Sequence, residues 1–208
     1  FLKTKEVIYL DKFKCNLDWI KNNATYSNKL PYWYYEYDLD GHKAPWSSGM
    51  SQGLVISLLV RGYLFFNDKT YLDLAVLTSK TLSKSIHEGG FRYSYDNFKC
   101  WFEESNTNNH ILNGHIYALF GIFDIYRCTK SSKQHKLFTS GLEDIKNNIN
   151  KFDFGFFSSY DAFSKEYANN SYHNIHIVQF EILHEISKDD FFRNTSIKWK
   201  KINHNLKL

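Results

Sequence analysis

The sequence predicts an all-α protein, an incomplete α/α toroid built from helix pairs joined by short aromatic turns. Three observations carry this. Apolar residues recur at helical spacing in successive segments, with only 2 prolines and 10 glycines to interrupt them. A motif, Gly90-Phe91-x-x-Ser94-Tyr95-Asp96-x-Phe98, returns 65 residues later as Gly155-Phe156-x-x-Ser159-Tyr160-Asp161-x-Phe163. Polar residues then recur at one register of the helices, Gln52, Asn113 and Asn174 at intervals of 61, with His115 and His176 in step.

The elements follow in order. Residues 6–19 are expected to hold a first helix. Leu54, Leu58, Leu59 and Gly62 keep i, i+4 spacing through residues 54–66. Leu72, Ala75, Val76, Leu82 and Ile86 share a face over residues 69–86, and Gly89-Gly90 reads as the stop. Further helices are expected over 111–126, 136–149 and 174–186, with a short last one over 197–202. The unit is helix, aromatic turn, helix, with a period near 60. A plain bundle or a solenoid would share these elements. Buried amides are costly unless hydrogen-bonded, so Gln52, Asn113, Asn174 and His176 at one register favour a ring around a wet cavity.

Composition bounds the rest. The chain has 208 residues and a net charge of +4. That length suits one main domain, here residues 31–208 as the toroid, preceded by a helical extension over residues 1–30. With 43% hydrophobic and 23% charged residues, disorder is excluded as the main state. The longest apolar run, 54–66, is broken by Ser57 and Arg61 and falls short of the roughly 20 residues that span a bilayer. A soluble chain without a transmembrane helix is therefore expected, and the compartment stays open. The lysines are scattered, so no nucleic-acid partner is expected. The cluster Lys198, Lys200 and Lys201 reads as a solvated last turn. Cys15, Cys100 and Cys128 lack CxxC spacing and read as isolated thiols. The opening FLKTKEV has neither an initiator Met nor a signal-peptide pattern, which reads as a piece of a longer protein.

Several residues are candidates for chemistry. Trp33, Tyr34, Tyr35, Tyr37 and Trp46 crowd a polar segment, where rings either pack or stack on flat sugars. Of these, Trp46 is the candidate stacking platform. His173 and His176 sit three apart at a helix start without a third ligand, so no metal site is expected. His110, His115 and His184 read as helix-face residues. Glu103 and Glu104 lie between a turn and a helix, where acids favour a helix N-terminus. GxSxG, Walker and GxGxxG patterns are missing, which removes support for serine hydrolases and nucleotide binding. No cofactor is expected.

Longer motifs then fall into place. Ala44-Pro45-Trp46-Ser47-Ser48-Gly49-Met50-Ser51-Gln52-Gly53, Trp101-Phe102-Glu103-Glu104, Leu112-Asn113-Gly114-His115-Ile116 and Tyr172-His173-x-x-His176-Ile177-x-Gln179 resemble the C-terminal domain of D-glucuronyl C5-epimerases, over residues 31–202. The resemblance implies an α/α barrel that inverts glucuronate to iduronate within a heparosan-type polysaccharide. It implies Tyr160 and Tyr172 as catalytic tyrosines and Glu104 as the active-site acid. Ser105 stands where the family has a further tyrosine, and Phe163 where it has an arginine. Family members also carry N-terminal β-rich domains.

Inversion at C5 removes a proton beside a carboxylate and returns one on the opposite face, so two acid/base groups are needed. In a toroid, Tyr160 and Tyr172 fall at the same mouth and are expected on either side of the sugar. Gln52, Asn113, His173 and His176 are the expected polar sugar contacts, and Tyr95, the repeat partner of Tyr160, is an internal control. The expected partner is an acidic polysaccharide; a homodimer and a preceding N-terminal domain stay open. The competing readings are a sugar-binding domain with a degenerate site and a related polysaccharide lyase.

Overall fold

The computed structural model describes residues 6–39, 41–105, 109–155 and 157–203, and the side chains of residues 202 and 203 fall outside it. Among the described residues there are seven α-helices: α1 (Val7–Asn22), α2 (Gly49–Phe66), α3 (Lys69–Ser83), α4 (Leu112–Thr129), α5 (Ser132–Asn147), α6 (Asn170–Ser187) and α7 (Asp190–Asn203). Three two-stranded antiparallel hairpins join them. These are β1 (Thr25–Ser27) with β2 (Leu30–Tyr32), β3 (Tyr34–Tyr35) with β4 (Trp46–Ser47), and β5 (Arg92–Tyr93) with β6 (Trp101–Phe102).

The helix pairs are more regular than the sequence reading allowed. α2, α4 and α6 each have 18 residues. Each ends on a left-handed residue other than glycine: Asn67 at φ 55°, Lys130 at φ 53° and Lys188 at φ 60°. In each, the N–H of that residue donates to the carbonyl four positions back, on Tyr63, Tyr126 and His184, which satisfies one orphan acceptor of the helix end. An outer helix, α3, α5 or α7, follows at once. Side chains cap several starts: Ser48 Oγ accepts from Ser51 N at 3.3 Å, Asp68 Oδ1 from Thr70 N at 2.9 Å and Asn169 Oδ1 from Tyr172 N at 3.0 Å.

Two boundaries differ from expectation. The helix expected over 69–86 ends at Ser83, and Gly89, at φ 83°, closes a separate 3-10 turn, Ile86–Glu88. Strand pairing explains the break, because Phe91 N donates to Thr81 O and Arg92 N to Lys84 O. The expected division at residue 30 cuts the β1–β2 hairpin, whose register pairs Tyr26 with Pro31. α1 also shares the main core. Leu17 is fully buried, lies over Gly62 of α2, and an added Cβ there would meet its methyls at 2.8 Å.

α2 and α4 form the centre. Gly53 and Gly121 let their backbones touch: a Cβ on Gly53 would lie 2.5 Å from Ala118 Cα, and one on Gly121 would lie 2.5 Å from Gly53 O. α2 is long and apolar enough to cross a membrane by length and composition, yet α3 and α4 cover it. Trp101 stacks on His115 at 4.0 Å and 8°, and on Phe152 at 5.4 Å and 5°. On the concave side, Leu54, Leu58, Tyr117, Phe120 and Ile182 line an open cavity of about 460 Å³. An Arg61–Asp124 pair at 2.8 Å borders it.

Candidate active site

The starts of α2, α4 and α6 converge with the connecting turns at one end of the ring. The route can be followed bond by bond. Gly49 N, opening α2, donates to Glu104 O at 3.0 Å. Glu104 lies over the first turn of α4, so close that a Cβ on Gly114 would meet its Oε2 at 2.4 Å. Leu112 N, opening α4, donates to Tyr160 O at 3.1 Å, and Ile111 bridges to Asp161. Tyr160 in turn packs on Tyr172, in the first turn of α6, with ring centroids 4.5 Å apart and planes at 60°. Glu104, Asn113, Tyr160 and Tyr172 are therefore brought to one mouth.

Glu104 is the most perturbed acid there. Its Oε2 is buried without a hydrogen-bond partner among the described residues. Burial pushes its carboxyl up to about 7, because desolvation disfavours the charged form. A carboxyl that titrates near neutrality can both take and give a proton at physiological pH. Its neighbour Glu103 has another job. Glu103 is fully buried and accepts from the His110 backbone N at 3.2 Å, while its other oxygen meets His110 Nδ1. That pair is part of the wall.

The tyrosine pair departs from expectation. Two phenols on either side of a sugar would need two van der Waals contacts of about 3.5–4.0 Å between them. Rings whose centroids lie 4.5 Å apart leave no such slot. The two rings therefore stand in contact at the mouth, and Glu104 lies over the first turn of α4.

The remaining expected contacts divide. Asn113 is buried at the mouth. Its Oδ1 has no partner among the described residues, and its Nδ2 has only Met50 Sδ at 3.9 Å. Gln179, a residue that repeat spacing did not single out, reaches across from α6 to donate to Asn113 O at 3.1 Å, and its own Oε1 has no partner among the described residues. Gln52 lies deeper in the wall, with Nε2 donating to Pro31 O at 3.3 Å. Asn174, expected at the same register, is exposed, and α6 starts at Asn170, four residues before the expected start.

His173 and His176 are fully buried, so the direct sugar contact expected of them is not what this structure offers. Both turn Nδ1 toward Ser158 Oγ, at 3.0 and 2.7 Å. Burial holds both imidazoles below their usual range, His176 at about 3. His115 does the same work one repeat earlier. It is fully buried rather than facing out, accepts from Phe102 N at 2.9 Å, and is held at about 3 by burial. Among the described residues, no group of three or more His, Cys, Asp or Glu is placed to hold a metal.

Trp46 belongs to a neighbouring groove. It contacts Tyr35 at 4.4 Å and His42 at 4.9 Å, and with Tyr32, Tyr34 and Pro45 it lines a cavity of about 400 Å³. The Tyr35 hydroxyl pairs with Ser51 Oγ in the first turn of α2, which ties this groove to the mouth. Trp33, in contrast, is core: its Nε1 donates to Ile20 O at 3.0 Å.

Comparison with solved structures gives the class first. The chain matches a GH76 α-mannanase of Bacteroides thetaiotaomicron with a TM-score of 0.67, at 14% identity, over 98% of this chain and 53% of that one. The fold is thus an α/α toroid, and the chain spans about half the length of that mannanase chain. Sequence gives the family: the model of the D-glucuronyl C5-epimerase C-terminus matches residues 22–201, and the chain belongs to that family. A D-glucuronyl C5-epimerase of Caenorhabditis elegans is 27% identical over 174 residues, which cover 74% of this chain and 28% of that protein. The chain therefore spans little more than a quarter of that relative's length.

Proposed function

We propose that the chain inverts C5 of glucuronate residues to give iduronate in an acidic polysaccharide. The observation that carries the reading is Glu104, a half-buried carboxyl titrating near 7 beside two phenols in contact. Glu104 takes the C5 proton from one face. The C5–H electron pair passes toward the substrate carboxylate as an enolate. A phenol of the Tyr160–Tyr172 pair returns a proton to the other face, so the reaction is balanced without a leaving group. The amides of Asn113 and Gln179 offer hydrogen bonds to the developing charge. His173 and His176 support the wall through Ser158.

The partner of this reading is the acidic polymer itself. The test is deuterium uptake at C5 of a glucuronate–N-acetylglucosamine polymer in D2O, followed by NMR. Uptake with iduronate formation supports the reading. Uptake accompanied by unsaturated sugars selects a lyase. A second reading, a sugar-binding domain, is favoured by Ser105 and Phe163, which stand where the family resemblance expects a tyrosine and an arginine. Polymer binding without any deuterium uptake selects it.

A further inference from the structure

A second cavity lies on the outer side of the ring. It is lined by Arg92 of β5, Lys99 of the β5–β6 loop, and Ser132, Lys133 and Lys136 of the first turns of α5, with Ser83 at the end of α3. It shares no residue with the mouth. We propose that this cavity is a binding site for an oxyanion carried on a sugar, a carboxylate or sulfate of the acidic polymer, so that the chain grips its substrate at a point away from the reacting residue. The polymer as source of that anion rests on the function proposed above; the anion chemistry does not.

Four observations carry the assignment. First, four cationic side chains from three elements converge on one concavity, and no carboxylate lines it. Lys99, Lys133 and Lys136 form no ion pair among the described residues, whereas lysines elsewhere pair readily, as Lys146 does with Asp189 at 2.9 Å. Second, Arg92 Nε is buried with no hydrogen-bond partner among the described residues. A covered guanidinium donor without an acceptor is costly, and its fork matches a carboxylate or sulfate. Third, the adjacent α5 start is open: Ser131, its N-cap, makes no side-chain cap bond, so the first-turn N–H groups remain available to an anion. Fourth, the volume is about 590 Å³, in the range of about 300–1,000 Å³ usual for small-ligand sites, which gives room for the sugar ring as well as its anion.

The nearest acid does not quench the site. Asp144 is buried behind it, accepting from Lys99 N at 3.0 Å and Cys100 N at 2.6 Å. Its carboxylate is hydrogen-bonded to these backbone donors, and of the four cationic side chains Lys99 alone acts on it, electrostatically and without an ion-pair contact.

The probes are inorganic sulfate and a glucuronate–N-acetylglucosamine oligosaccharide, each titrated by calorimetry into the full chain and into Lys133→Gln/Lys136→Gln. These two lysines are exposed, so the double variant keeps its fold, which circular dichroism checks. Arg92→Gln is the stronger variant and is read the same way. The expected result is oligosaccharide binding weakened at least tenfold in the double variant, with deuterium uptake on a short substrate unchanged and KM for long polymer raised. Equal binding of both sulfate and oligosaccharide by wild type and both variants overturns the site. Sulfate binding lost in the variants while oligosaccharide binding stays unchanged overturns the polymer as its source. Failure of the epimerase reading appears separately, as no deuterium uptake in wild type at all.

Discussion

The two copies of the Gly-Phe-x-x-Ser-Tyr-Asp motif have nearly the same letters and different fates. The first folds back on itself: Arg92 and Tyr93 pair with Phe102 and Trp101. Its Tyr95 is left at the tip, 47% exposed, against His87 and Tyr93. The second pairs outward, with Tyr160 O accepting from Leu112 N and Asp161 bridging to Ile111. Its tyrosine is thereby set on the start of α4, against Tyr172. Even the turns differ. Positive φ falls on Asp96, and on Gly89 just before the motif, in the first copy, and on the motif glycine Gly155 in the second. A repeated motif specifies a turn; what the turn docks on specifies its chemistry.

The sharpest break of that comparison is at the phenols and the acid. Tyr160→Phe and Tyr172→Phe should each lower C5 deuterium uptake by about 10²–10⁴-fold, the usual contribution of a positioned proton donor, while Tyr95→Phe leaves it unchanged. Glu104→Gln should lower uptake as much. Equal uptake by the Tyr95 and Tyr160 variants would erase the functional distinction between the copies. In the wild type, uptake should rise as pH rises through about 7, where Glu104 loses its proton.

How far the sequence reached follows the same division. Helix pairs were legible, because apolar spacing and a period near 60 report local and repeated features. The mouth was legible only through the family resemblance. The phenol–phenol contact was not, since 12 positions and a turn separate Tyr160 from Tyr172 and spacing does not fix ring placement. The common αL ends of α2, α4 and α6 were hidden because Asn67, Lys130 and Lys188 are not glycines. Gln179 stood in the family motif without a role, because its partner, Asn113 O, is a backbone atom 66 residues away.

The next effect in size is on acid stability, and it tests whether the two repeat histidines are equivalent. His115 and His176 are held at about 3 in the folded chain against a usual 6.5. Below pH 6.5 the unfolded chain takes up their protons and the folded chain does not, so stability is lost at about 1.4 kcal/mol per pH unit for each. His173 adds in the same direction. Glu104 opposes: its folded carboxyl is raised to about 7, so between pH 7 and 4.5 falling pH favours the fold by a similar slope, and Asp144 adds to that side. Two or more histidines against the raised acids leave a net loss on acidification, steepening below about pH 4.5. Urea midpoints measured from pH 7.5 to 4 should fall, and the slope should shrink equally in His115→Gln and His176→Gln variants once their lower starting stability is subtracted. A flat profile from pH 7 to 4 would contradict the buried neutral imidazoles.

Glu104→Gln should also raise stability at pH 8, by up to about 3 kcal/mol, since the variant no longer ionises a buried carboxyl. Loss of uptake with gain of stability is the signature of a group held strained for chemistry. Loss of both would place Glu104 in the wall with Glu103. Gly53→Ala sits below this, at about 1–3 kcal/mol destabilising, because the Cβ meets Ala118 backbone that cannot move without separating α2 from α4.

The smallest effect is the control itself. Tyr95→Phe removes a hydroxyl from an exposed ring whose contacts are aromatic edges on His87 and Tyr93. Those contacts survive the change, so the thermal midpoint should move by no more than about 0.5 kcal/mol in stability, as surface substitutions do. Asp96 beside it should matter more. It holds φ 54° and accepts from the Tyr93 hydroxyl at 3.3 Å, so Asp96→Ala strains a left-handed residue and frees a phenol in one step. Asp161 in the second copy has no such φ; its Oδ1 accepts instead from Phe163 N and Ser164 N, both at 2.7 Å. Asp161→Ala should therefore loosen the loop that carries Tyr160 and reduce uptake, whereas Asp96→Ala should cost stability and spare uptake. Two aspartates at the same motif position would then separate a turn that only folds from a turn that also positions a reacting group.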